Sequence, residues 1–146
     1  MTEIMAPAGS FESLQAALQA NADSVFFGVG HLHMRARSAR QFTIKDLPEI
    51  VKRCKKNNTK AYLTVNTILT QQDIDIMKKT LDAAKAAKVD AIIATDIAAI
   101  QYAREINLPV HISTQQNITN LETVKFFAQQ ADVLVLSREL SLAQIK

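Results

Sequence analysis

The stretch that decides the fold runs Ala61-Tyr62-Leu63-Thr64-Val65, then Ile74-Asp75-Ile76-Met77-Lys78-Lys79-Thr80-Leu81-Asp82-Ala83-Ala84-Lys85, then Ala91-Ile92-Ile93-Ala94. The two outer runs are mostly apolar at consecutive positions, as strands covered on both faces are, and parallel strands are covered in this way. In the middle segment Ile74, Met77, Leu81 and Ala84 recur at spacings of three and four, while Asp75, Lys78, Lys79, Asp82 and Lys85 fill the other face. That periodicity predicts an amphipathic surface helix. Strand, surface helix, strand is the unit from which parallel α/β sheets are built.

The same alternation extends in both directions. Further strands are expected at Ile4-Met5-Ala6, Ser24-Val25-Phe26-Phe27, Val110-His111-Ile112 and Val133-Leu134-Val135-Leu136. Ser10 before Phe11 and Leu14, Asp96 before Ile97 and Ile100, and Thr119 with Glu122 three residues on read as helix starts. Pro48 is tolerated only in a first turn, so the second helix begins near Asp46 and runs through Ile50, Val51 and Cys54. Asn107, followed by Pro109, stops the fourth helix.

Ala20-Asn21-Ala22-Asp23, Ala87-Lys88-Val89-Asp90 and Gln129-Gln130-Ala131-Asp132 form a weak repeat, each placed just before a strand. Glycine would be the easiest residue at the second position, yet the chain has only three glycines. Asn21 is a workable substitute in a left-handed turn, and Lys88 is less comfortable there.

Near the end of the chain Ser141-Leu142-Ala143-Gln144 opens another helix. Six strands with five complete helices fit a partial TIM-type barrel of about six of the eight βα units, or an open doubly wound, flavodoxin-like sheet. The helix just begun favours the barrel. Residues 1–146 are therefore expected to be a single N-terminal, partial barrel domain of a longer protein.

Seventeen Lys and Arg stand against 14 Asp and Glu, a formal charge of +3, with 48% hydrophobic and 21% charged residues. This excludes a disordered segment, an acidic tail and a strongly basic nucleic-acid arm. The apolar runs fall short of a membrane span, and Met1-Thr2-Glu3-Ile4-Met5 does not read as a signal peptide, so a cytoplasmic protein with no membrane partner is expected. Cys54 is the only cysteine. It allows no internal disulfide and no cysteine cluster for zinc or iron–sulfur, so no cofactor is expected in this chain.

In parallel α/β folds the loops after the strands form the working face. The loop Gly30-His31-Leu32-His33-Met34-Arg35-Ala36-Arg37-Ser38-Ala39-Arg40 carries two histidines and three arginines without an acid. Such a cationic patch suits phosphate or carboxylate, and hence RNA or a small anionic substrate. Arg35 and Arg37 lie two apart and share one side of an extended segment, and Arg138 follows the sixth strand on the same face. With Asn66, Ser113, Gln115 and Glu139 from neighbouring strand ends they make up the candidate substrate- or anion-binding site. Glu139 could instead neutralise Arg138 as a local pair.

Gly28-Val29-Gly30 lacks the third glycine and following helix of a dinucleotide fingerprint. His31 and His33, with His111 and Asp96, would suit a metal-dependent barrel hydrolase only as a distant alternative. Cys54 shares the apolar face of Ile50 and Val51, and Lys52-Arg53-Cys54-Lys55-Lys56 reads as a solvated helix end that complements the helix dipole. No catalytic residue is assigned, because neither a Gly-x-Ser-x-Gly elbow nor a His-Glu-x-x-His helix is present.

Six segments in order carry a resemblance: Met5-Ala6-Pro7-Ala8-Gly9-Ser10-Phe11-Glu12-Ser13-Leu14, Ala22-Asp23-Ser24-Val25-Phe26-Phe27-Gly28, Met34-Arg35-Ala36-Arg37, Tyr62-Leu63-Thr64-Val65-Asn66-Thr67, His111-Ile112-Ser113-Thr114-Gln115 and Leu136-Ser137-Arg138-Glu139-Leu140-Ser141. Together the chain resembles the N-terminal part of the collagenase-like peptidase family U32. The resemblance implies a longer protein that begins with a barrel. It also implies an iron–sulfur cluster in several members, held by downstream cysteines that this chain lacks.

The resemblance further implies a role in RNA modification, the hydroxylation of tRNA or rRNA bases, with ubiquinone hydroxylation in other members and a peptidase as the alternative. This portion is expected to be inactive alone. Where the family usually has glycine before its Ala-Asp pairs, Asn21, Lys88 and Gln130 stand here, which bears on turn stability. Open edges at strands one and six lead us to expect a homo-oligomer or an edge-paired dimer.

Overall fold

A computed structural model describes residues 2–34 and 42–145. Arg35 and Arg37 lie outside them. The elements are β1 (Met5–Pro7), α1 (Phe11–Gln19), β2 (Ser24–Phe27), α2 (Leu47–Lys56), β3 (Lys60–Val65), α3 (Ile74–Ala87), β4 (Ala91–Ala94), α4 (Ile97–Glu105), β5 (Val110–Ile112), α5 (Leu121–Ala128), β6 (Val133–Leu134) and α6 (Leu142–Ile145). The strands form one sheet in the order β1-β2-β3-β4-β5-β6, and every neighbouring pair is parallel. Sequential order without a switch point is the topology of a barrel wall, and it excludes the flavodoxin-like arrangement.

Strand alternation divides the side chains between two faces. Val25, Phe27, Ala61, Leu63, Val65, Ile92, Ala94, Val110 and Ile112 join Leu14, Ile50, Cys54, Met77, Leu81, Ile100 and Phe127 from five helices in one buried cluster. The opposite, concave face holds a small cluster of Tyr62, Ala91 and Ile93, with Phe26 packed on it. All five longer helices thus lie on one side. The sheet is a curled half-barrel whose interior side chains face one another.

The Ala-Asp repeat has a structural cause. Asp23 accepts from the Ile4 amide at 2.7 Å, Asp90 from Ala61 at 2.8 Å and Asp132 from Val110 at 2.8 Å, each one strand back. In return the Asp amides donate to the carbonyls of Ile4, Ala61 and Val110. Each carboxylate staples the start of one strand to the start of the next, at β1–β2, β3–β4 and β5–β6.

Four of the five preceding turns place a residue in the left-handed region: Asn21 (φ 55°), Asn58 (φ 54°), Lys88 (φ 62°) and Asn107 (φ 54°). Gln130 is not in that region, and α5 ends at Gln129 with φ −77° and ψ −16°. Ser10 and Asp96 cap α1 and α4, and Pro48 sits in the first turn of α2. The expected Thr119–Glu122 box is displaced by one residue: Asn120 caps α5, accepting from the Thr123 amide and hydroxyl. The sixth strand is shorter than its apolar run, since β6 pairs on only one side and ends at Leu134.

Candidate active site

The strand ends open onto a pocket of about 550 Å³. It is lined by Pro7, Ala8 and Gly9 after β1, Phe26, Phe27 and Gly28 at β2, and His33 and Met34 from the loop that follows. Thr64 and Asn66 at β3, Thr114 and Gln115 after β5, and Arg138 after β6 complete it. Parallel strands in sequence order bring these loops to one end of the sheet, so residues more than 100 positions apart share one cavity.

His33 is positioned by the absence of a side chain. A Cβ on Gly28 would fall 2.1 Å from the His33 Cγ, so the imidazole occupies the space that glycine leaves. Asn66 holds the same loop: its Oδ1 accepts from the Met34 amide at 3.2 Å. The long connection is also tied where its described ends meet, by the Gly30 amide donating to the Phe42 carbonyl and by Phe42 packing edge-on against Phe11 and Phe27.

Across the pocket the Thr95 hydroxyl donates to Gln115 Oε1 at 3.0 Å, and Gln116 donates to the Thr95 carbonyl. The Thr64 and Thr114 hydroxyls donate to the carbonyls of Phe27 and Leu136. At the start of α1 the amides of Gly9 and Ser10 both donate to Ser13 Oγ at 2.9 Å, so they are occupied within the chain.

Of the residues expected from the sequence, Asn66, Gln115 and Arg138 line this pocket. Ser113 is 2% exposed, and its hydroxyl accepts from the Gln115 amide, capping a short 3-10 turn at Thr114–Gln116. It orients the segment from behind. Glu139 accepts a hydrogen bond from Ser137, which chiefly holds its carboxyl below the usual range. Its own backbone amide and the charge of Arg138 add to that effect. Among the described residues Arg138 forms no ion pair, so the local Arg138–Glu139 pairing is not the arrangement found. The sequence offers His33 only to the metal alternative and gives no signal for Thr64 or Thr114; the signal that places His33 in this pocket is the glycine at position 28, a gap into which a ring fits.

The residues of the metal alternative are dispersed. His31 approaches Asp73 at 3.6 Å. Asp96 caps α4 and accepts from the Leu69 amide. His111 packs against the Tyr62 ring at 4.7 Å on the concave face, where burial pushes its imidazole pKa down. Among the described residues no group of three His, Cys, Asp or Glu is arranged to hold a metal ion. Cys54 is fully buried in α2 and its thiol is pushed up to about 11 by desolvation, with Asp90 adding to the shift. A thiol so placed does not fit an iron–sulfur cluster.

Fold and pocket together define a βα half-barrel with a cavity of mixed apolar and polar lining at the C-terminal ends of its strands. The model of peptidase family U32 matches residues 9–146, and the chain belongs to that family. It is 53% identical over 144 residues to a protein named Collagenase from Porphyromonas gingivalis, covering 99% of this chain and 35% of that one. It is 36% identical over 147 residues to tRNA hydroxylation protein P1 of Bacillus subtilis, covering 99% and 35%. The solved U32 peptidase Mk0906 superimposes with a TM-score of 0.75 at 18% identity, over 93% of this chain and 58% of that one. The chain spans about a third of the length of these curated relatives. Among the described residues no helix is long and apolar enough to cross a membrane.

Proposed function

We propose that this chain is the substrate-binding barrel portion of a U32 protein that takes part in RNA base hydroxylation, with RNA as its macromolecular partner. The observation that carries the reading is the pocket itself: a partly aromatic cavity with two carboxamides and the guanidinium of Arg138, which forms no ion pair among the described residues. Such groups suit a base and its phosphate, by stacking and by hydrogen bonds to exposed edges. The relatives named tRNA hydroxylation proteins support it. A cytoplasmic setting, where RNA is met, goes with the reading. Iron–sulfur chemistry, where it takes part, would depend on cysteines outside this chain.

The relative named Collagenase favours a second reading, a peptidase. Peptide-bond cleavage by a nucleophile requires a group activated by a base. Here the Cys54 thiol is buried away from the pocket and the Ser113 hydroxyl serves as a cap. These observations favour RNA.

The test is fluorescence anisotropy with labelled tRNA, alongside incubation with gelatin. We expect tRNA binding that weakens with salt and falls in Arg138→Ala, and no gelatin cleavage by the chain alone. Gelatin cleavage abolished by Ser113→Ala or Cys54→Ala, with no tRNA bound, would overturn the proposal. A second copy is the expected partner for the open sheet edges, where Ile4, Met5 and Val133 are exposed. Sedimentation velocity checks this, and a monodisperse monomer at high concentration would count against it.

A further inference from the structure

We infer that Asn66 is a specificity-determining residue that reads an acceptor oxygen on the ligand, while its other end fixes the backbone at Met34 on the pocket wall. This deepens the proposed RNA-binding reading and rests on it. The argument is one of hydrogen-bond polarity. A backbone amide can only donate, so the group that accepts from Met34 must be the Asn66 oxygen. The Asn66 NH₂ therefore stays with the pocket, and it makes no hydrogen bond among the described residues.

Gln115 repeats the arrangement: Thr95 occupies its oxygen and leaves its NH₂. The hydroxyl protons of Thr64 and Thr114 are directed to backbone carbonyls. Arg138 is a donor under all conditions. Among the described residues no carboxylate lines the cavity. The side-chain protons that the amides and guanidinium offer come from Asn66, Gln115 and Arg138, and a ligand meets them with oxygens. A donor placed opposite the Asn66 NH₂ would leave both groups unpaired, which is the costly case. A base carbonyl and a phosphate oxygen both supply that chemistry.

The substitution Asn66→Asp separates the two ends of the residue. A carboxylate still accepts from the Met34 amide, so the loop stays anchored, but the pocket-facing donor becomes an acceptor. Titrations of the ¹⁵N-labelled chain with uridine, with inorganic phosphate and with tRNA, followed by side-chain NH₂ and backbone amide shifts, read both ends at once. The expected result is that the Asn66 NH₂ resonance shifts with at least one small probe. Affinity for that probe should fall at least about tenfold in Asn66→Asp, while the Met34 amide keeps its hydrogen-exchange protection.

A response to uridine assigns the oxygen to the base, and a response to phosphate assigns it to the backbone. Gln115→Glu, which leaves the loop anchor untouched, should lower affinity in the same direction and covers the case in which Asn66→Asp unfolds. Equal affinity in the folded variants, or no response of the wild-type NH₂ groups to either probe, overturns the inference. The RNA reading itself is judged separately by wild-type binding of tRNA.

Discussion

Replacing Gly28 with alanine would place a Cβ 2.1 Å from Cγ, 2.3 Å from Cδ2 and 2.5 Å from Nδ1 of His33. Unstrained carbon contacts lie at about 3.5–4.0 Å, so the ring must retreat by roughly 1.4 Å or more. His33 is only 9% exposed, and the retreat drives it into the pocket wall or out of the packed loop. Gly28 is not in the left-handed region, so the requirement is for space rather than for a special backbone. Overpacking of this kind costs about 1–3 kcal/mol. In a domain of this size each kcal/mol corresponds to about 2–4 °C in Tm.

The assay is a double-mutant cycle by urea denaturation over wild type, Gly28→Ala, His33→Ala and the pair. Removing the ring removes the clash, so Gly28→Ala should cost little in the His33→Ala background, giving a coupling of at least about 1 kcal/mol. Additive costs within about 0.5 kcal/mol would mean that the alanine and the imidazole never compete for the same space, and the steric account of Gly28 would fall.

The strand staples predict that Asp90→Ala destabilises by about 1–3 kcal/mol, the cost of stranding the partly buried Ala61 amide, measurable as a lower urea midpoint with an unchanged slope. Lys88→Gly should stabilise by up to about 1 kcal/mol, since φ 62° burdens a residue that has a Cβ; a loss of stability in the same denaturation series would show that the left-handed turn is not strained. Burial lowers the pKa of His111, with the charge of Lys60 acting in the same direction and Asp132 opposing. The folded imidazole thus binds its proton less readily than the unfolded one, so its contribution to stability is complete above about pH 6.5 and is lost as pH falls below that value. His111→Gln should flatten this part of the stability–pH profile, and an unchanged profile would remove the assignment.

Local periodicity and caps made much of the fold legible. The three-and-four spacing of α3, the apolar runs of β3 and β4, Pro48 in a first turn and Asn21 and Asn107 in left-handed turns are all set by residues within a few positions of one another. The start of α5 was not legible to the residue, because Thr119 and Asn120 are both capping types and it is Asn120 whose side chain meets the Thr123 amide. The Ala-Asp repeat was visible as a pattern without a cause, since the amides it serves lie 19, 29 and 22 residues away on the neighbouring strand.

The candidate site divides along the same line. Parallel strands place every following loop at one end, so the strand pattern alone puts Asn66, Gln115 and Arg138 near one another. It could not tell that Ser113 turns inward while Gln115 faces the cavity, or that Glu139 meets Ser137 rather than Arg138, because neighbouring loop residues point in different directions. Nor did it show that His33 settles over Gly28 or that Asn66 directs its oxygen to Met34. Local chemistry determined the helices, strands and turns; the direction of each side chain at the pocket was decided by contacts between segments distant in sequence, which exist only once the sheet has brought those segments together.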